Sequence, residues 1–227
     1  MKSFKSILAG GAVFTGIAQA AVSGFDISGY QESTDFSQAY SNGDRFVFIK
    51  ATEGTTYTSS LFSQQYDGAT DAGFIRGAYH FAHPSSSSGA AQATFFAENG
   101  GGWSGDGITL PGALDIEYNP NGATCYGLSQ SDMVDWIEDF VSTYESTTGR
   151  WPVIYTTLDW WSTCTGNSAA FGDRCPLWIA RYSDSVGSIP AGWATYTFWQ
   201  YNDAYSQGGD SDTFNGDEAG LTKLATG

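Results

Sequence analysis

Asp115 and Glu117 stand two residues apart at the end of an apolar run, Gly112-Ala113-Leu114-Asp115-Ile116-Glu117-Tyr118-Asn119. Successive side chains of a strand point to opposite faces, so these two acids share one face. Their Cα atoms would lie about 6.6 Å apart, two rises of about 3.3 Å. Like charges held that close raise each other's cost of ionising, and a strand kept only for stability avoids them. Two carboxyls whose proton affinities are driven apart can divide the labour of splitting a glycosidic bond. One donates a proton to the leaving oxygen, while its ionised twin steadies positive charge at the sugar carbon. Spacing alone assigns neither role. Carboxyls about 5 Å apart suit a covalent nucleophile, a gap of about 6.5–9.5 Å leaves room for a water, and an i, i+2 pair falls awkwardly between.

More acids occur where other apolar runs end. GFDIS at 24–28 carries Asp26, KATEG at 50–54 carries Glu53, and the last run offers Asp210 and Asp212. Aromatic residues make up 16% of the chain. Most of them must pack the core, but an aromatic-rich surface with few lysines also suits stacking against sugar rings.

Eight strand-like runs must position these groups: 24–28, 46–52, 75–82, 112–118, 152–156, 177–182, 195–201 and a short one near 212–214. Most are continuously apolar, which predicts strands covered on both faces. Helical patterns fall between the early runs at 61–72, 89–98 and 129–146. In the last of these, Met133, Trp136, Ile137, Phe140, Val141 and Tyr144 recur at helical spacing. Ser129 with Asp132 marks its start and Gly149 its stop. The alternation argues for a parallel sheet. It fails late in the chain, where short Gly- and Pro-containing segments replace helices and at least one antiparallel pairing is expected. The expected fold is therefore α/β, a single modified TIM-like barrel of five βα units followed by three less regular strands. In such a barrel functional groups gather at the carboxyl ends of the strands.

Lys2 and Lys5 precede an uncharged stretch that ends in Ala18-Gln19-Ala20. This is the pattern of a secretory signal peptide over residues 1–20, leaving one catalytic domain over 21–227 and an extracellular product. Loss of the two lysines would take the formal charge from −15 to −17. Nucleic acid is thereby excluded as a partner on electrostatic grounds, and no later stretch is long and apolar enough to cross a membrane. The chain is expected to act as a monomer. Three cysteines, Cys125, Cys164 and Cys175, permit one internal disulfide, and spacing does not choose the pair. His80 and His83 would point to opposite faces of a strand, so no metal site is expected.

Taken in order, several stretches resemble the family 25 glycoside hydrolases, the muramidase-type lysozymes, and are most similar to their fungal branch. They are GFDIS (24–28), FIKATEG (48–54), GAYHFA (77–82), ALDIE (113–117), PVIYTT (152–157), PLWIARY (176–182), FWQYN (198–202) and DTFNG (212–216). The resemblance implies hydrolysis of the β-1,4 bond between N-acetylmuramic acid and N-acetylglucosamine in bacterial cell-wall peptidoglycan, with net retention and no cofactor. It implies Glu117 as general acid and Asp115 as the group that orients the substrate's 2-acetamido nucleophile. Asp26 and Asp212 would be the further active-site acids. Tyr79, Tyr155, Trp178 and Trp199 would line the groove, and Glu53 would contact substrate. It also implies a Cys125–Cys164 disulfide that leaves Cys175 over.

Two rival readings are weaker. A catalytically silent sugar-binding protein would have no use for the intact Asp115/Glu117 pair. A chitinase would carry a D-x-x-D-x-D-x-E run, and the upstream acids of that run are missing here. The acidic balance of the chain carries an expectation of its own. An anionic polymer is repelled at neutral pH, so activity on it should rise toward acid. A pH–rate profile that stays flat from acid to neutral would contradict this.

Overall fold

The computed structural model describes residues 21–227, and the segment read as a signal peptide lies outside them. The chain begins with β1 (Val22–Ile27), α1 (Phe36–Asn42), β2 (Phe46–Glu53) and a two-residue strand β3 (Tyr57–Thr58). Next come α2 (Phe62–Ala72), β4 (Ile75–Phe81), α3 (Gly89–Phe96), β5 (Ala113–Asp115) and α4 (Gln130–Thr148). Then follow β6 (Val153–Thr156), α5 (Leu158–Thr165), β7 (Leu177–Ala180), β8 (Phe198–Asn202), β9 (Asp210–Phe214) and α6 (Glu218–Thr226).

Eight of the strands close into a barrel in the order β1-β9-β8-β7-β6-β5-β4-β2, sealed by pairing of β1 with β2. The short β3 is an antiparallel addition to β2. All neighbours are parallel except β9, which runs against both β1 and β8. Helices α1 to α5 make the first five connections. The stretch 181–197 then joins the parallel strands β7 and β8 without a helix. The expected regular and irregular parts are thus both present. Helices α1, α5 and α6 are additional to those the periodicity predicts. α1 is one short helix capped by Asp35, too brief to show a stripe, and α5 is started by Thr157, which accepts from the Trp160 N–H.

Three apolar layers hold the barrel. Phe46, Phe48, Val153, Trp178, Phe198 and Phe214 fill its interior. The outer face of β4 to β7 packs on α3, α4 and α5 through Leu114, Ile116, Phe96, Ile137, Phe140 and Trp161. Phe25, Val47 and Ile49 pack on α1 and α2 through Phe36, Ala39 and Ala69. Helix α4 runs as its pattern predicts: Ser129 accepts from the Asp132 N–H, Gly149 takes the left-handed cap, and the six stripe residues are buried. Cys125 and Cys164 form a disulfide that ties the loop after β5 to the end of α5, and Cys175 is a free, buried thiol.

Helices α3 and α4 meet closely at Gly89, where a Cβ would run into Trp136 O and Phe140 N. Both obstacles are backbone atoms of a packed helix and cannot rotate away. Gly89→Ala should therefore lower stability by about 1–3 kcal/mol, the usual cost of overpacking. Chemical denaturation measures this, and an unchanged midpoint would contradict the close approach.

Candidate active site

Strand alternation and barrel closure bring the acids to one mouth. Asp115 is the last residue of β5 and pairs with Tyr155 on one side and Phe81 on the other. The extended conformation persists beyond the strand, since Ile116 N donates to Tyr155 O at 3.0 Å. Ile116 therefore turns outward into the helix-facing core, and Glu117 returns to the inner side. Asp115 and Glu117 line one cavity of about 190 Å³, together with Asp26, Asp210, Lys50 and Gln200. Tyr79, Tyr155 and Trp178 form its aromatic floor, where Tyr155 and Trp178 meet edge to face at 4.7 Å.

The cavity is one stretch of a longer groove. At one end it shares Ser28, Tyr30 and Lys50 with a depression that also contains Glu53 and Tyr57. At the other it shares Glu117 and Tyr155 with one that contains Tyr118, Arg181 and Tyr182. The rim carries exposed tyrosines, including Tyr30 at 92% and Tyr182 at 54% exposure. The groove is thus open and edged with tyrosines along its length.

Crowding of acids in a dry site raises their proton affinities. Burial and the Asp210 charge push Asp26 up to about 8. Burial and Asp210 likewise push Glu117 to about 7, against the pull of Lys50. Asp115 is raised well above the ordinary carboxyl range by burial and by Glu117. Asp210 is raised by burial and Asp203. Gln200 is the polar hub: its amide nitrogen donates to Asp26 at 2.7 Å and to Asp210 at 3.1 Å, while its oxygen accepts from Tyr155 at 2.8 Å and Tyr182 at 3.1 Å. Asp115 Oδ1 is buried and has no hydrogen-bond partner within the protein.

Not every residue expected at the groove lies on its surface. Asp212 is fully buried below the floor, where Trp178 Nε1 donates to it at 2.8 Å. Its free oxygen meets no N–H donor, but Asp26 is its neighbour, and the two carboxyls hydrogen-bond once one carries a proton. Because β9 runs backwards, its first residue, Asp210, is the one at the mouth; it pairs with Asp26, whereas Asp212 pairs with Gly24. Trp199 is turned away. Its neighbours Phe198 and Gln200 point inward, so Trp199 lies on the outer face, where its Nε1 donates to Arg181 O at 2.9 Å.

Glu53 reaches the groove because β2 carries a register shift between Lys50 and Thr52. Without that irregularity Lys50 and Glu53 would face opposite sides. With it, Lys50 Nζ donates to Glu53 at 2.6 Å and His83 Nε2 donates to it at 2.7 Å. Burial tends to raise Glu53, but these partners bring it below its ordinary value. Lys50, Gln200 and the rim residues Tyr30, Tyr118 and Tyr182 are not singled out by motif or spacing. The available signals were a lysine inside an apolar strand run and a glutamine on the inward parity of β8.

The family model described as Glycosyl hydrolases family 25 matches residues 25–210. An N,O-diacetylmuramidase of Chalaropsis sp is 56% identical over 210 residues, covering 91% of this chain and 100% of its own. The solved muramidase of Acremonium alcalophilum is 74% identical and superposes with a TM-score of 0.90 over 90% of this chain and 99% of that one. The family GH25 lysozyme of Aspergillus fumigatus is 59% identical, with a TM-score of 0.90 over 92% and 100% of the two chains.

The raised carboxyls have a consequence for stability. In the unfolded chain an aspartate titrates near 3.9, whereas folded Asp26 does so at about 8. Between these values the folded state holds a proton that the unfolded state has released, so stability must fall as pH rises. Melting temperature should drop between about pH 5 and about pH 8, and Asp26→Asn should make the drop shallower. A melting temperature that rises over this range, or a variant with an unchanged slope, would contradict the crowding.

Proposed function

The chain belongs to glycosyl hydrolase family 25, and from that premise we propose that it is a secreted muramidase that hydrolyses the β-1,4 bond following N-acetylmuramic acid in peptidoglycan. The relatives named muramidase or lysozyme support the activity. The observation that carries the reading is the Asp115/Glu117 pair on one wall of an open, aromatic-floored groove.

In this reading Glu117 is the general acid. Its affinity for a proton, up near 7, lets it hold one at working pH and release it to the leaving glycosidic oxygen. Asp115 offers an unpartnered buried oxygen, suited to accept the N–H of the substrate's 2-acetamido group. That hydrogen bond swings the acetamido carbonyl oxygen toward the anomeric carbon. As the glycosidic bond breaks, this oxygen closes on the carbon, and Asp115 compensates the positive charge of the resulting ring. Glu117, now ionised, takes a proton from a water that opens the ring from the same side, so configuration is retained. The i, i+2 spacing thereby becomes intelligible, because Asp115 need not reach the sugar carbon itself.

The two carboxyls titrate as a pair. Substrate resolves them: an N–H donated to Asp115 favours its ionised form, and burial of Glu117 beneath the sugar favours its protonated form. Asp26, with Asp212 beneath it and Gln200 and Asp210 beside it, shares a proton with these neighbours and completes the acidic wall of the site without adding a full charge. Tyr79, Tyr155 and Trp178 present apolar surface to the ring. Glu53, held by Lys50 and His83, contacts the neighbouring sugar.

Purified protein should clear bacterial walls and release reducing ends, with little action on chitin. Glu117→Gln should lose about 10²–10⁴-fold in rate, the usual worth of a positioned general acid. Clearing of chitin alone would move the assignment to a chitinase, and binding without reducing ends would make the protein a lectin.

A further inference from the structure

Beyond Glu117 the groove continues into a cavity of about 420 Å³ lined by Thr157, Leu158, Asp159, Ile179, Arg181 and Ser188. The two are continuous, since Thr157, Ala180 and Arg181 also line the depression that reaches Glu117. A glycan backbone carries no charge on its rings, so a guanidinium beside it gains no ion pair from them. Yet Arg181 stands at this junction, in a chain whose formal charge is −15. Among the described residues Arg45, Lys50 and Arg174 pair with carboxylates, whereas Arg181, like Arg76, Arg150 and Lys223, does not.

Arg181 is nonetheless held in place. Its backbone N–H donates to Gln200 O at 2.9 Å, and its carbonyl accepts from Trp199 Nε1 at 2.9 Å. Its Nη1 donates to Val186 O at 3.2 Å. Gly187, at φ +62°, leaves the room the guanidinium occupies, because a Cβ there would run into Nη1. The Val186 contact uses one donor of this exposed planar fork, and the donors left over suit a carboxylate. Asp159 lies on the same cavity and accepts from Tyr118 Oη at 2.7 Å. The side groove therefore shows one charge of each sign beside the apolar Leu158 and Ile179.

We propose that this side groove receives the peptide branch of a muramic acid residue, with the Arg181 guanidinium pairing a carboxylate of that branch. The proposal rests on the muramidase reading above. A stem peptide on the lactyl group carries free carboxylates and a diamino acid, matching the charges on the cavity that adjoins the Glu117 groove. Arg181 would thus select for peptide-bearing strands without taking part in bond cleavage.

The test compares kcat/KM for reducing-end release on soluble glycan strands that keep their stem peptides and on the same strands stripped of peptide by an amidase, with the lactyl carboxylates this frees capped as amides. Arg181→Ala should lose about fivefold more on peptide-bearing strands than on stripped strands, the scale of one exposed ion pair. Arg181→Lys should recover part of the loss. Gly187→Ala keeps the charge but displaces the guanidinium, and should reproduce part of it. The stripped strands report in every case that the variant is folded and competent. Equal losses on both substrates, or no loss on either, would overturn the proposal. If wild-type protein releases reducing ends from neither substrate, the muramidase reading fails first.

Discussion

Like charges crowded at the dry mouth of a closed barrel are the constraint on which the rest of this structure depends. Asp26, Asp115, Glu117 and Asp210 face one small cavity, and each is raised above the ordinary carboxyl range, with burial the largest cause. A flexible scaffold would relieve such crowding by splaying its loops. Here Asp26, Asp115 and Asp210 belong to strands hydrogen-bonded on both sides, and Glu117 follows β5 by two residues, so the acids cannot separate without breaking the barrel. The energy is relieved by protons instead, and a carboxyl that keeps its proton near neutrality is what acid catalysis of glycosidic cleavage requires.

The cluster is tolerable because its neighbours are chosen to satisfy it. Gln200 accepts two tyrosine hydroxyls and donates to two of the acids, which fixes its own orientation and theirs. Trp178 does double duty as floor of the groove and donor to the buried Asp212. Lys50 is the one cation lining the cavity, and it is shared with Glu53, so it moderates the repulsion without neutralising it. Below these groups the barrel is filled by phenylalanines, which keep the dielectric low and the acids' proton affinities high.

Much of this was readable along the chain. The alternation of apolar runs with helical stripes located the barrel strands, and parity placed Asp115 and Glu117 on one face even though β5 ends at Asp115. Parity, applied from the right starting residue, would also have excluded Trp199, since Phe198 and Gln200 are its inward neighbours. The short helices α1, α5 and α6 were not legible, because one or two turns show no stripe and their caps are shared with loops. The rim tyrosines Tyr30, Tyr118 and Tyr182 have no periodicity at all, being loop residues whose positions follow from where the strands end.

The sequence by itself determined which residue types meet: acids at the ends of apolar strands, aromatics in strand interiors, a regular first part and an irregular last one. Those properties are local, depending on two- and 3.6-residue periods that any neighbouring stretch reveals. Only the tertiary structure decided that Asp210 rather than Asp212 reaches the mouth, because the direction of β9 depends on its partners β1 and β8. The irregularity in β2 likewise turned Glu53 toward Lys50, and closure set Gln200 between Asp26 and Asp210. Strand direction, register and closure are pairings between distant segments, and no residue's immediate neighbours carry that information.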